Sequence, residues 1–341
     1  MSRYQAAHEN PSGPGDARPT ALQIVEDEGR VGELTGKTVF ITGANQGLGL
    51  ETARALLATG ATIYLGVRDL KKGQQAVDDL LASGQTTNKS LHLIEISLDS
   101  LDSVRSAAEA FLSKTSSLNI LILNAGIMAS PKGKTKDGFE SQFGICHVGH
   151  FLLFQLLKGA LLAGSTPEFN SRVVSLSSIG HRCGGIRFDD LRFDDEGSYD
   201  PWVAYGQAKT ANIYTANEIE RRYGAKGIHG LPLHPGGIAT NLGQYLDPEF
   251  VKVMSSDPEV LRYMKSPEQG AATSVYAAIS KEWEGRGGRY LADCAEQGPM
   301  KPGTSPLSGA DVGYAPWAYD EEKSKKLWTI SCGLVGVQDA D

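Results

Sequence analysis

Apolar residues fall into short, nearly unbroken runs, separated by stretches with helical spacing. Thr38-Val-Phe-Ile-Thr42 is the first run, and its β-branched, apolar character is what a parallel strand buried on both faces requires. Residues 61–67, 91–96 and 119–123 repeat the pattern. Between these runs lie residues 48–59, 70–82 and 102–113; in the second of these, Leu70, Val77, Leu80 and Leu81 share one helical face. The alternation predicts a parallel sheet with right-handed crossovers and helices on both faces. It resumes with a buried helix at 151–163, a strand at 172–176, a helix at 204–222 and a strand at 227–233. No repeat longer than the strand–helix unit occurs, and no linker separates two cores. The expectation is one α/β domain with a doubly wound parallel sheet. Its range is 34–291, with irregular insertions near 181–201 and 240–266. Residues 1–33, polar and rich in Pro and Gly at their start, are expected to be a disordered tail. Residues 292–341 are expected to be an extension packed on the same domain.

Composition narrows the partners. The 33 Lys and Arg against 40 Asp and Glu give a net charge of −7, with no basic patch, which argues against nucleic-acid binding. Cys146, Cys183, Cys294 and Cys332 contain no C-x-x-C pair, so neither a disulfide scaffold nor a zinc site is expected, and no other metal site stands out. The apolar run at 151–163 is interrupted by Gln155 and Lys158 and is expected to be too short for a membrane span. The N-terminus has no signal-peptide core. A soluble, cytoplasmic protein without a membrane anchor is the expectation. Gly is in excess: 40 residues, where the usual share of about 7% would give roughly 24.

Part of that excess carries chemistry. Thr42-Gly-Ala-Asn-Gln-Gly-Leu-Gly49 lies between the first strand and the first helix, where a Rossmann-type fold holds the pyrophosphate of a dinucleotide. Glycines let the backbone approach the phosphates, and the helix N-terminus offers free N–H groups. The spacing G-x-x-x-G-x-G differs by one residue from G-x-G-x-x-G. About 20 residues further on stands Arg68, with Asp69 one step late. An Arg there suits the 2′-phosphate of NADP, whereas an acid suits the ribose of NAD, so NADP(H) is preferred over NAD(H). Tyr205-Gly-Gln-Ala-Lys209 puts Tyr205 and Lys209 on one helix face. An ammonium beside a phenol favours the phenolate and is expected to lower the Tyr205 pKa, making it a general acid or base.

These motifs together resemble the short-chain dehydrogenase/reductases over residues 36–291: TGANQGLG (42–49), NAG (124–126), VVSLSS (173–178), YGQAK (205–209) and HPGGIAT (234–240). GVRDLKKG (66–73), HVGHFLL (147–153), SIGHR (178–182) and DEEKSKKLW (320–328) resemble the branch holding retinol dehydrogenases and WW-domain oxidoreductases. The resemblance implies a catalytic set of Ser178, Tyr205 and Lys209, with Ser177 the lesser candidate for the serine. Tyr205 would donate a proton as hydride reaches a carbonyl carbon, and Lys209 would bond the nicotinamide ribose. Gly43, Asn45, Gln46, Gly47, Leu48 and Gly49 would form the phosphate turn. Asn124, Ala125 and Gly126 would line the adenosine ribose. Pro235, Gly236 and Thr240 would frame the nicotinamide. The implied activity is an NADP(H)-dependent ketoreductase acting on an apolar small molecule, in secondary metabolism, as a homodimer or tetramer.

Two positions depart from the family pattern. Cys146 stands where Asn usually holds a relay water, which raises the alternative of non-redox isomerisation, elimination or cyclisation in the same pocket. A cofactor-binding scaffold with little catalysis is a further alternative. Ser97, followed by Leu98, stands where an Asp usually binds adenine, which implies a weaker contact. His147 and His150 are expected in core or capping roles. His181, three residues past Ser178, is a candidate substrate contact. Tyr199, Trp202, Tyr245, Phe250, Met254, Tyr263 and Met264 gather in the two insertions as candidates for an apolar pocket wall, with Trp202 and Tyr245 the substrate contacts named there.

Overall fold

A computed structural model describes residues 2–82 and 90–339. The strands in chain order are β1 (Thr38–Thr42), β2 (Thr62–Val67), β3 (Leu91–Glu95), β4 (Ile120–Leu123), β5 (Ser171–Leu176), β6 (Ile228–Leu233), β7 (Gly237–Ile238), β8 (Met264–Lys265), β9 (Leu291–Ala292) and β10 (Ala295–Glu296). Eight form one sheet in the order β10-β9-β6-β5-β4-β1-β2-β3, and β7 pairs with β8 in a small separate ribbon. All pairings from β3 to β9 across the large sheet are parallel; only β9–β10 is antiparallel. Every residue of β1, β4, β5 and β6 is buried, whereas the edge strand β3 is buried only at Ile94. Strand order reverses between β1 and β4, which is where an open α/β sheet opens a crevice for ligands.

Two apolar layers cover the sheet. One packs the helices Ala21–Asp27, Gly47–Leu57 and Ala272–Ile279 on one face. The other packs Leu101–Leu112, Gly149–Gly164, Pro201–Tyr223 and Glu321–Val335 on the opposite face. The last helix seats Trp328 edge-on against Phe151, at 5.0 Å between ring centroids. Residues 292–341, as far as Asp339, therefore pack on the same core; residues 340–341 lie outside the described residues, as does Met1 of the expected tail.

Two expectations need correction, and one element was not foreseen. The N-terminal segment is folded, not disordered. Tyr4 is 5% exposed, and Ile24 and Val25 are fully buried. Its Gly and Pro residues make turns, with positive φ at Gly13 and Gly15. Its polar groups find partners within the protein. The Arg18 guanidinium donates to the carbonyls of Gly13, Tyr263 and Met264 and pairs with Asp16 at 2.8 Å. The Gln269 amide donates to the Asp16 and Arg18 carbonyls. Composition alone cannot register such charge-assisted bonds.

The apolar helix is also longer than expected. It runs without a break from Ser141 to Gly164, with a wide π-type turn at Gly144–Val148. By length and composition it could cross a membrane, yet 67% of its apolar window is buried inside the protein. Finally, the helix Ala272–Ile279 lies outside the expected elements, because it is buried on every side and so has no apolar stripe against a polar face.

Candidate active site

Parallel register brings the ends of five strands to one crevice. Thr42 aligns with Gly66, Leu123 with Ser175, and Leu176 with Leu233. The glycine turn leaves β1 with Gly43 at φ +67 and Gly47 at φ +55, a region that side chains rarely adopt. A Cβ on Gly49 would lie 2.3 Å from the Gly43 carbonyl oxygen, so only glycine permits the helix Gly47–Leu57 to start there. Asn124 braces the turn by donating from its amide to the carbonyls of Thr42 (2.9 Å) and Gly43 (3.3 Å). The amides of Asn124 and Ala125 both donate to the Thr42 hydroxyl. Leu48 packs beneath, close to Gly270, and Thr240 faces Gly47.

A cleft of about 550 Å³ opens beside this turn, lined by Asn45, Gln46, Arg68, Asp69, Leu70, Lys71, Lys72 and Glu95. Asp69 is committed elsewhere. Its carboxylate accepts the amides of Lys71 (2.9 Å) and Lys72 (3.2 Å) and caps the helix Leu70–Ala82. These bonds hold its pKa below the usual range. That leaves cationic Arg68, Lys71 and Lys72 to face a ligand. The two lysines were not assigned from sequence, although they stand in the quoted GVRDLKKG motif. The donors, the helix terminus and the cleft fit the phosphates of a nicotinamide dinucleotide.

The Ser97 hydroxyl donates to the Asp99 carboxylate, while Leu98 packs against Gly149. Gly126 converges with Cys146 and Lys209: a Cβ there would meet the Cys146 sulfur at 3.2 Å and the Lys209 ammonium at 3.5 Å. The Cys146 thiol points to the Ile127 carbonyl at 3.5 Å, and burial pushes its pKa up. His150 links this point to the glycine turn, with Nδ1 on the Cys146 carbonyl and Nε2 on the Thr42 hydroxyl. His147 joins Ser331 and Thr215. Burial pushes both imidazoles down to about 3, so they are neutral core residues. No cluster of metal-ligand residues exists among the described residues.

Ser178, Tyr205 and Lys209 meet at the end of β5. Burial raises the Tyr205 phenol well above its ordinary pKa, and a hydrogen bond with Ser178 partly offsets this. The expectation that Lys209 lowers the Tyr205 pKa is not met in this state. The Lys209 ammonium, itself pushed down by burial, donates to the Leu176 carbonyl at 2.9 Å and sits 5.6 Å from the Tyr205 ring centroid. The Ser177 hydroxyl donates to the Lys209 carbonyl at 2.8 Å, which ties it to the framework and leaves Ser178 facing Tyr205. Pro235 and Gly236 follow β6, with Gly236 at φ +117. Beneath them the Lys265 ammonium bonds the Pro235 carbonyl (3.3 Å) and Asp293 (2.7 Å), a pair that sequence reasoning did not find.

A second cleft, of about 280 Å³, is lined by Ala129, Pro201, Trp202, Tyr245, Leu246, Asp247 and Phe250. Trp202 stands edge-on to Tyr205 at 6.1 Å. Tyr199 instead bonds the Ser130 carbonyl, and Tyr263 and Met264 face the N-terminal segment. His181 is not a substrate contact: it is fully buried, with both ring nitrogens bonded within the protein.

Comparison with known proteins agrees with this architecture. A family model described as short chain dehydrogenase matches residues 37–188. The chain is 50% identical over 337 residues to the short-chain dehydrogenase/reductase prx1 of Penicillium roqueforti, covering 99% of this chain and 96% of the relative. The chain belongs to the short-chain dehydrogenase/reductase family. Within that family of oxidoreductases it resembles the retinol dehydrogenase branch, being 40% identical to human retinol dehydrogenase 14 over 93% of this chain and 91% of that one. A crystal structure of an uncharacterized protein from Mycobacterium paratuberculosis superposes with a TM-score of 0.65 at 34% identity, over 90% of this chain and 96% of that one.

Proposed function

We propose that this short-chain dehydrogenase/reductase is an NADPH-dependent ketoreductase that reduces the carbonyl of an apolar small molecule. The observation that carries the reading is the pairing of two features at one crevice: a Ser178–Tyr205 hydrogen bond beside buried Lys209, and a cleft whose cations Arg68, Lys71 and Lys72 outnumber its acids, Asp69 and Glu95, the first of which is consumed in capping a helix. Bound NADPH supplies the hydride. Ser178 donates a hydrogen bond to the substrate oxygen and orients it. Tyr205, kept protonated by burial, gives its phenolic proton to that oxygen. Lys209, one helical turn along and held at the Leu176 carbonyl, would bond the nicotinamide ribose. Trp202, Tyr245 and Phe250 supply flat apolar walls for the substrate, and a role in a fungal-type biosynthetic pathway and a homo-oligomeric state are part of the same proposal.

The test follows NADPH absorbance with a panel of apolar ketones and aldehydes. Tyr205→Phe should lower kcat by about 10²–10⁴-fold while leaving NADPH binding intact. Equal rates for the two proteins refute the acid role. A product with unchanged hydrogen count and no net NADPH consumption replaces reduction by isomerisation or elimination in the same pocket.

A further inference from the structure

The turn after Ser178 is fastened to a distant part of the chain. Ser178 caps the short 3-10 helix Ile179–Cys183, accepting the Gly180 amide on its hydroxyl at 3.0 Å. Its carbonyl accepts twice from His181, from the backbone amide at 3.0 Å and from Nδ1 at 2.5 Å. A nitrogen facing a carbonyl must carry a proton, so Nδ1 is the donor. The opposite nitrogen, Nε2, accepts the Ala315 amide at 2.9 Å and is therefore bare. The two partners leave one tautomer, neutral with the proton on Nδ1.

Ala315 belongs to an irregular strap between β10 and the final helix, and the strap is held on both sides. Arg182 donates to the carbonyls of Gly313 and Asp311 and pairs with the Asp311 carboxylate at 3.6 Å. Beyond Ala315, the Trp317 indole donates to Thr210, and Tyr214 and Asn217 donate to the carbonyls of Trp317 and Ala318. These three residues lie on the helix Pro201–Tyr223, which also carries Tyr205 and Lys209. Thr210 in turn donates to the carbonyls of His181 and Gly184. The strap thus spans the Ser178 turn and the Tyr205 helix.

We infer that His181 is a positioning residue for the reaction: clamped between the Ser178 carbonyl and the Ala315 amide, its imidazole sets the Ser178 hydroxyl against Tyr205 and makes the 311–318 strap the back wall of the active site. The inference rests on the ketoreductase reading for its kinetic consequence but not for the clamp itself. It also accounts for the His in the SIGHR motif without any contact to substrate.

Three variants separate the halves of the clamp. Asn can donate to the Ser178 carbonyl but cannot reach Ala315; Gln can accept from Ala315 but abandons Ser178; Phe does neither. With phenanthrenequinone and NADPH, His181→Gln and His181→Phe should each lose about tenfold in kcat, and His181→Asn less than about threefold, with KM for NADPH unchanged in all three. A structural role alone predicts a different result, in which kcat follows thermal stability and Asn offers no rescue; that result overturns the inference. The clamp is read directly by nitrogen NMR on histidine-labelled protein, assigned by the signal missing from His181→Gln. A single Nδ1–H tautomer that does not titrate near neutral pH supports it, and a mixed or titrating signal overturns it. If the wild type reduces no carbonyl probe, the ketoreductase reading fails while the NMR result still decides the clamp.

Discussion

Replacing Arg68 with Ala removes the cation at the end of β2 that faces the cofactor cleft. Hydrogen bonds to charged groups contribute roughly 1.5–3 kcal/mol. Arg68 is exposed, so solvent screening places its contribution near the lower end, about 1.5 kcal/mol, which is roughly tenfold in affinity. The loss is incomplete because Lys71 and Lys72 line the same cleft. Asp69 does not take over as a ribose ligand for NADH, because its carboxylate holds the amides of Lys71 and Lys72. NADPH affinity should therefore fall about tenfold, with NADH affinity unchanged. Titrations of cofactor fluorescence measure both without any substrate. Added salt should narrow the wild-type preference for NADPH, because exposed charges are screened. Equal weakening of the two cofactors, or undiminished NADPH binding, would refute the assignment of Arg68 to the phosphate.

Gly49→Ala forces a methyl group to within 2.3 Å of the Gly43 carbonyl oxygen; NADPH affinity should fall more than about tenfold and the urea midpoint should drop, with overpacking costing about 1–3 kcal/mol. A fully bound, equally stable variant would show that the turn is softer than its packing implies. Asp293 gives a pH dependence. Burial pushes its carboxyl up, but the Lys265 ammonium and His8 outweigh this and hold it at about 2. Its folded pKa is depressed, so the stabilisation is present above the ordinary value near 3.8 and is lost as pH falls toward 2. The effect is on the order of 2 kcal/mol. Urea unfolding between neutral and acid pH should show this slope in the wild type and a shallower one in Asp293→Asn; identical slopes would place the acid sensitivity elsewhere.

The central sheet was legible because its strands, buried on both faces, carry apolar runs with little else in them, and because helices with polar faces alternate with them. The glycine turn was legible for a similar reason: phosphate-sized space next to backbone excludes side chains. What escaped shares a different cause. The N-terminal segment is ordered by Arg18 and Gln269 reaching partners some 245 to 253 residues away in sequence, and nothing local in its composition encodes that. His181 looked like a substrate contact by its distance from Ser178, but the Ala315 amide that buries it lies 134 residues further on. The Ser177–Ser178 choice turned on where one hydroxyl points, which spacing does not specify. The Tyr205–Lys209 spacing correctly put both on one face, yet their separation and the Leu176 carbonyl, not the spacing, govern the electrostatics.

The clasp between the chain's beginning and its late segments has a consequence for biosynthesis. Ser2 donates to the Cys294 carbonyl and Arg18 to those of Tyr263 and Met264, so these partners do not exist when the first residues leave the ribosome. At roughly 5–20 residues per second, the opening segment waits on the order of 10–50 s for them. During that interval the turns at residues 2–18 lack these partners, whereas the helix Ala21–Asp27 already has the helix Gly47–Leu57 to pack against. The leading turns are therefore the last part of the N-terminal segment to be fastened.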